Sequence, residues 1–169
     1  MRMSDRVFVD TNVLLYAHDL AEASKRAVAL ARYRELVAAD RLVVSTQVLG
    51  EFYVNAVRSR ANPKRPAMAT AEQAERVVTL LAEGDCYTVT PTDCARAMRV
   101  ARAHRLGYWD ALIVVAAAGS GARVLLSEDF RHGQTLEGVL VENPFVSLAR
   151  ARRAAFSRPG EPSPAGPTR

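Results

Sequence analysis

No apolar run in the chain approaches the roughly 18 or more residues of a membrane span. Met1-Arg2-Met3-Ser4-Asp5-Arg6 leads straight into a short apolar stretch, without the hydrophobic centre of a signal peptide. Cysteine is scarce. Cys86 and Cys94 are separated by seven residues, outside any CxxC arrangement, and two such residues without a leader are expected to be reduced in a cytoplasmic protein. His18, His104 and His132 are too dispersed for a zinc site. There is no internal repeat. These absences argue against a membrane-spanning helix, a disulfide-stapled module, a zinc site built on the histidines and a repeat array. What is present, 49% apolar and 24% charged residues, is the balance of a soluble globular protein, and 169 residues suffice for one full domain but not two.

The net charge of +5 and pI of about 9.7 suggest a polyanionic partner. Five arginines (150, 152, 153, 158 and 169) against Glu161 give the last twenty residues a net +4, leaving the body at +1. The basic character therefore sits mostly in a tail and does not itself demonstrate a basic groove. The tail, Arg- and Pro-rich over 149–169, cannot pack a core and is expected to be disordered, with residues 1–148 as the single domain.

Short apolar runs at Val7-Phe8-Val9, Leu42-Val43-Val44-Ser45, Tyr87-Thr88-Val89-Thr90, 123–127 and Val139-Leu140-Val141-Glu142 read as five buried strands. Helical segments alternate with them. Thr11 and Asn12 suit the N-cap of a short helix through Ala17, followed by helices over Ala21 to Ala39, Thr46 to Ser59, a stretch opened by the capping box Thr70-Ala71-Glu72-Gln73, Pro91 to about Arg105, and 109–118. Gly107 is a plausible residue just past the fifth of these, and Asn62-Pro63-Lys64-Arg65-Pro66 breaks the chain. The alternation predicts an α/β fold with a parallel sheet covered by helices on both faces.

Four acidic residues stand at the ends of these apolar elements. Asp10 ends the first strand and Asp129 follows Val124-Leu125-Leu126-Ser127, where ligands bind in an open parallel sheet. Glu51 lies in a helix beside Val48 and Phe52, on or next to the apolar stripe, and Asp110 opens eight consecutive apolar residues. Each has a plain alternative: Asp10 and Asp110 as helix caps, Asp129 as a turn residue, Glu51 as an edge residue. Spacing alone does not separate Asp129 from Glu128. Taken together, such carboxylates are costly unless paired or metal-bound, and gathered by the fold they would make an oxygen-ligand cage for Mg²⁺ or Mn²⁺. The corresponding chemistry is phosphodiester hydrolysis. Thr11, Asn12 and Ser127 are neutral polar neighbours able to orient carboxylates or waters, or simply to cap.

These segments resemble a known family. Val7-Phe8-Val9-Asp10-Thr11-Asn12-Val13-Leu14-Leu15-Tyr16 is similar to the opening motif of PIN-domain ribonucleases, and Ser45 to Phe52, Tyr108 to Ile113, and Leu125 to Phe130 resemble their second, third and fourth acidic segments. His132-Gly133-Gln134 and Val141 to Phe145 resemble the end of a VapC-type toxin of a type II toxin–antitoxin pair. The resemblance covers roughly residues 6 to 146. It implies a single PIN-like nuclease domain with a five-stranded parallel sheet in the order 3-2-1-4-5. It also implies Asp10, Glu51, Asp110 and Asp129 as catalytic and metal-holding residues for Mg²⁺ or Mn²⁺, an RNA substrate, a homodimer and a cognate antitoxin that blocks the active groove. The family supplies no role for the tail.

Two other readings remain. Asp10-Thr11-Asn12 faintly resembles an aspartyl-phosphate phosphatase, but the required second acid is replaced by Asn12. A non-catalytic PIN-like RNA-binding or interaction module would retain the acidic residues for structure alone. A dimer surface is suggested by the apolar excess in Val77-Val78-Thr79-Leu80-Leu81, against ordinary core packing. Arg58, Arg60, Lys64 and Arg65 form one candidate phosphate patch and the tail another, His132 is either a neighbour of Asp129 or a solvated loop residue, and Trp109 is either a packing residue or a platform for a base.

Overall fold

A computed structural model describes residues 6–58 and 68–149. In chain order the elements are β1 (Val7–Val9), α1 (Thr11–His18), α2 (Ala23–Ala38), β2 (Leu42–Ser45), α3 (Thr46–Val57), α4 (Ala71–Glu83), β3 (Asp85–Tyr87), α5 (Pro91–His104), α6 (Tyr108–Gly119), β4 (Val124–Leu126), β5 (Thr135–Leu136) and β6 (Val139–Glu142). They build one six-stranded sheet in the order β3-β2-β1-β4-β6-β5. The first five positions realise the expected 3-2-1-4-5 order as parallel neighbours; β5 adds a sixth strand, antiparallel to β6.

That extra strand corrects the five-stranded expectation, and its turn explains why it was missed. Glu137 and Gly138 both take positive φ, at 49° and 83°, so the two-residue connection turns Leu136 back onto Val139. Only two residues of β5 enter the ladder, too few for an alternating pattern to stand out.

Four boundaries also differ. The third strand lies at Asp85–Tyr87 rather than 87–90, because Thr90 serves instead as the N-cap of α5, in a reciprocal capping box with Asp93. The main-chain N–H of Val89 meanwhile donates to Thr46 Oγ1 at 3.1 Å. α1 is capped by Asp10 rather than by Thr11 or Asn12. The start of α2 is delayed to Ala23 by a turn in which Asp19 Oδ1 accepts the Ala21 N–H at 2.9 Å. Gly107 does not end α5: Arg105 takes the left-handed conformation there (φ 56°), and Gly107 is the N-cap of α6. The Thr70–Gln73 capping box forms as expected at the start of α4. The Arg- and Pro-rich tail, from Arg150 onward, lies outside the described residues, as do Arg60, Lys64 and Arg65 of the expected basic patch.

Val7, Phe8 and Val9 are all buried, which requires helices over both faces of the central strand. α1 packs on α2 and α3, and α3 on α4; α5 and α6 form the other close pair, with α6 also contacting β4 and β6. Ala111 through Ala117 are buried without interruption, so α6 is the innermost helix. Where its last turn passes Tyr87 there is no room to spare. A Cβ on Gly119 would lie 2.5 Å from the Tyr87 hydroxyl and 2.7 Å from its Cζ. That hydroxyl donates to Asp93, 3.1 Å from each carboxylate oxygen.

Gly119→Ala is therefore expected to displace the Tyr87 ring from Asp93 and destabilise the domain by about 1–3 kcal/mol, the usual penalty for overpacking. A thermal melt should show Tm lower by several degrees, with the α/β circular dichroism spectrum retained.

Candidate functional site

β1 is flanked by β2 on one side and β4 on the other, so chain connections leave it in opposite directions and a crevice opens beyond the carboxyl ends of β1 and β4. Asp10 directly follows β1. Its main-chain N–H donates to Leu126 O at 3.0 Å, extending the β1–β4 ladder by one bond. Ser127 directly follows β4. The two meet side to side: Ser127 Oγ donates to Asp10 Oδ2 at 2.6 Å, while Asp10 Oδ1 accepts the Thr11 N–H at 2.7 Å. Asp10 is thus both a helix cap and a lining residue of the crevice, and its two readings from sequence are not alternatives.

The remaining acids reach the same place from three further elements. Glu51 stands on the second turn of α3, after β2. Its Oε2 accepts Thr11 Oγ1–H at 2.7 Å and its Oε1 accepts Gln47 Nε2–H at 2.9 Å. Asp129 follows β4; its main-chain N–H donates to Ser127 Oγ at 3.1 Å, and its Oδ2 accepts Asn12 Nδ2–H at 2.7 Å. Asp110 occupies the third position of α6 and is not the cap of that helix. Its carboxylate folds back over Gly107, where a Cβ would approach Asp110 Oδ2 to 3.1 Å.

The four carboxylates feel one another. Burial pushes the Asp10 carboxyl up to about 7, with Asp129 and Glu51 adding to the rise against the lowering effect of Ser127 and Thr11. Asp110 is raised as well, first by burial and then by the negative charges of Asp129 and Glu51. Every side-chain donor to the group among the described residues comes from a neutral residue: Thr11, Asn12, Gln47 or Ser127. Among the described residues, no ion pair engages any of the four acids.

No three His, Cys, Asp or Glu side chains among the described residues converge closely enough to form a ready-made cation cage. Hydrogen bonds through Thr11, Asn12 and Ser127 nevertheless set Asp10, Glu51 and Asp129 around one crevice, and Asp110 lies near enough to be raised by the charges of Asp129 and Glu51. Their all-oxygen chemistry, with uncompensated negative charge, fits a hard divalent cation.

Glu128 and Asp129, inseparable by spacing, have different surroundings. Lys25 Nζ lies 2.5 Å from Glu128 Oε2 and 2.9 Å from the Tyr16 hydroxyl, 4.1 Å from the Tyr16 ring centroid and 5.2 Å from that of Phe145. Glu128 is thereby neutralised on the far side of the loop, while Asp129 faces Asn12. Lys25 was invisible to sequence reasoning, since 103 residues separate it from its partner. Gln47 did leave a trace, four residues before Glu51 on one helix face. His132, expected near Asp129, accepts the Asn143 N–H through Nδ1 at 3.1 Å. The apolar excess of α4 divides between core and surface: Leu81 is buried and Leu80 is exposed.

A buried carboxylate with a raised pKa has a stability consequence of definite sign. In the cation-free protein the folded state holds the Asp10 proton more tightly than the unfolded chain, so unfolding releases a proton between about pH 4 and 7. Asp10's contribution to stability is therefore greatest in acid and is lost as pH rises through about 7. Above that pH the penalty is on the order of 4 kcal/mol. Asp10→Asn, measured in EDTA by denaturant melts from pH 4 to 8, should flatten that fall and be at least as stable as the wild type at pH 8. A wild-type and variant pair with parallel pH profiles would contradict the assignment.

The chain matches the PIN domain family over residues 7–135. Among solved structures it is similar to a chain of the DNA-bound VapBC of Salmonella typhimurium, at 18% identity and a TM-score of 0.56, covering 82% of this chain and 98% of that one. It is likewise similar to a chain of VapBC2 from Rickettsia felis bound to a promoter DNA fragment, at 17% identity and a TM-score of 0.54, covering 81% and 97%. At these identities the likeness is one of fold. No curated protein sequence matches significantly. With the family match spanning most of its length and the sheet order and crevice described above, the chain belongs to the PIN-domain family.

Proposed function

We propose that the protein is an Mg²⁺- or Mn²⁺-dependent endoribonuclease and the toxin member of a type II toxin–antitoxin pair. The observation that carries the nuclease reading is the set of four acids at the β1–β4 crevice: the side-chain donors to Asp10, Glu51 and Asp129 are neutral, and no ion pair among the described residues engages any of the four. A phosphodiester could not approach such a site unaided, since its own charge would be repelled. Asp10, Glu51, Asp110 and Asp129 are the residues that would hold a divalent cation. When bound, the cation supplies Lewis acidity toward a phosphoryl oxygen and toward water.

The protein's own contribution is orientation. Thr11 and Gln47 each take one oxygen of Glu51, Asn12 takes one oxygen of Asp129, and Ser127 takes one oxygen of Asp10. These bonds select a rotamer for Asp10, Glu51 and Asp129 and leave lone pairs on each for a ligand. Asp10 is the buried member of the set, while Asp110 and Asp129 are exposed at the mouth of the crevice, where a ligand can reach them.

The toxin reading rests on the sequence motifs and is supported by the fold's likeness to chains of VapBC complexes. A small antitoxin partner and a homodimeric state go with that reading. So does action inside the cell; no helix among the described residues is long and apolar enough to cross a membrane.

Purified protein free of any antitoxin, incubated with total cellular RNA and Mn²⁺, should yield discrete fragments whose ends identify the target. EDTA should abolish cleavage. Asp110→Asn should lower the rate at least about a hundredfold, the scale of the several kcal/mol a cation site contributes. Cleavage that survives both EDTA and Asp110→Asn would overturn the mechanism.

A further inference from the structure

Beside the acids lies an open cavity of about 680 Å³ between α3, α5 and the start of α6, walled by Gln47, Gly50, Glu51, Cys94, Trp109 and Leu112. We propose that it is a nucleobase subsite, taking one unstacked base of a single-stranded RNA whose backbone lies at the carboxylates. The proposal rests on the nuclease reading of that site and adds the part of the substrate it grips.

Position comes first. Glu51 belongs both to the acidic crevice and to the cavity wall, and Trp109 immediately precedes Asp110. Gln47 joins the two physically, its Nε2 donating to Glu51 Oε1 at 2.9 Å and to Trp109 O at 3.2 Å. A base seated here is therefore next door to the reacting phosphate. By contrast, the cavity of about 410 Å³ among α1, α3 and α4, lined by His18, Phe52 and Met68, contains none of the four acids.

The walls have the chemistry of a base pocket. Trp109 is 63% exposed, an unusual placement for an indole with so much apolar area to hide. It is braced rather than loose: the Tyr108 ring meets it edge-on, at 5.1 Å and 72°. A rigid, solvent-facing aromatic is the stacking platform used for single-stranded nucleic acid, whose bases all present a π-face. Leu112, buried, continues the apolar lining.

Two further features are unexplained by folding alone. Gly50 sits inside α3, where glycine weakens a helix relative to alanine, yet beyond its chain neighbours and the nearby backbone of its own helix no heavy atom of the described residues lies within 4 Å of where its Cβ would be. The missing side chain serves no internal contact; it keeps the cavity open. Gln47 Oε1 is buried without a hydrogen-bond partner among the described residues, so the amide that links Glu51 to Trp109 has an acceptor still to satisfy.

Trp109 is the chain's only tryptophan, so intrinsic fluorescence reports on this wall directly. The full-length protein would be titrated with an eight-nucleotide oligoadenylate RNA and with an abasic ribose-phosphate oligomer of equal length, using Ca²⁺ to suppress turnover. The RNA should quench Trp109 emission saturably, and the abasic oligomer should not, binding roughly ten- to hundredfold more weakly, the loss expected for one stacked base. Gly50→Leu, which fills the cavity without meeting the core, should keep the wild-type Tm and lose affinity for the RNA to a similar degree.

Equal quenching by the abasic oligomer, wild-type RNA affinity in folded Gly50→Leu, or failure of both oligomers to bind would each overturn the subsite. Cleavage without base-dependent quenching removes the subsite and leaves the nuclease standing. Base-dependent quenching without cleavage keeps the subsite and removes the nuclease.

Discussion

The pairing of β1 with β4 is the constraint on which the rest of the molecule depends. These strands are remote in sequence, yet Val7, Phe8 and Val9 align with Val124, Leu125 and Leu126. The pairing is held by burial, since both strands lie within the core and Phe8 and its partner Leu125 are fully covered. One bond past the ladder, Asp10 N–H reaches Leu126 O, and the hydroxyl of Ser127 reaches the Asp10 carboxylate across 2.6 Å. A shift of register would separate these groups. Asp10 would lose the donor that most lowers its pKa, and Asp129, tied to Ser127 Oγ through its own N–H, would move with the loop.

Around that junction the domain accepts electrostatic cost. Asp10 is buried and raised to about 7, and Asp110, though exposed, is raised by partial desolvation and by the charges of Asp129 and Glu51. Natural cores usually relieve such a charge with an arginine or lysine, because a buried unpaired charge is among the most expensive features a fold can carry. Here the local lysine is turned elsewhere: Lys25 is committed to Glu128, Tyr16 and the face of Phe145. The loop 127–129 thus sorts three successive side chains to three destinations: Ser127 to Asp10, Glu128 to Lys25 and Asp129 to Asn12. The outcome is a set of acids without an ion-pair partner among the described residues, beside a Glu128 that is paired with Lys25.

Much of the fold was legible because its signals are local. Unbroken apolar runs marked the central strands, the Thr70–Gln73 box marked the start of α4, and eight apolar residues after Asp110 marked the inner helix. The errors were local too. Thr90 satisfied a helix cap instead of a strand ladder, Asp19 made a turn that delayed α2, and a Glu137-Gly138 turn folded a two-residue strand back onto the sheet. In each case the same residue type could satisfy its backbone in two ways, and only the neighbouring elements chose.

For the acidic residues the division is sharper. The sequence by itself determined their type and their attachment to apolar elements, because a carboxylate at a strand end or on a helix's apolar edge is visible from the residues beside it. Tertiary structure alone decided that Asp10, Glu51, Asp110 and Asp129 share one crevice. It also decided that Asp129 rather than Glu128 faces the crevice, and that Gln47 bridges Glu51 to Trp109. The reason is one of distance along the chain. Asn12 and Asp129 are 117 residues apart, as are Asp10 and Ser127, and Lys25 and Glu128 are 103 apart. No local pattern encodes such pairs; they form when the parallel sheet brings the ends of β1 and β4 together.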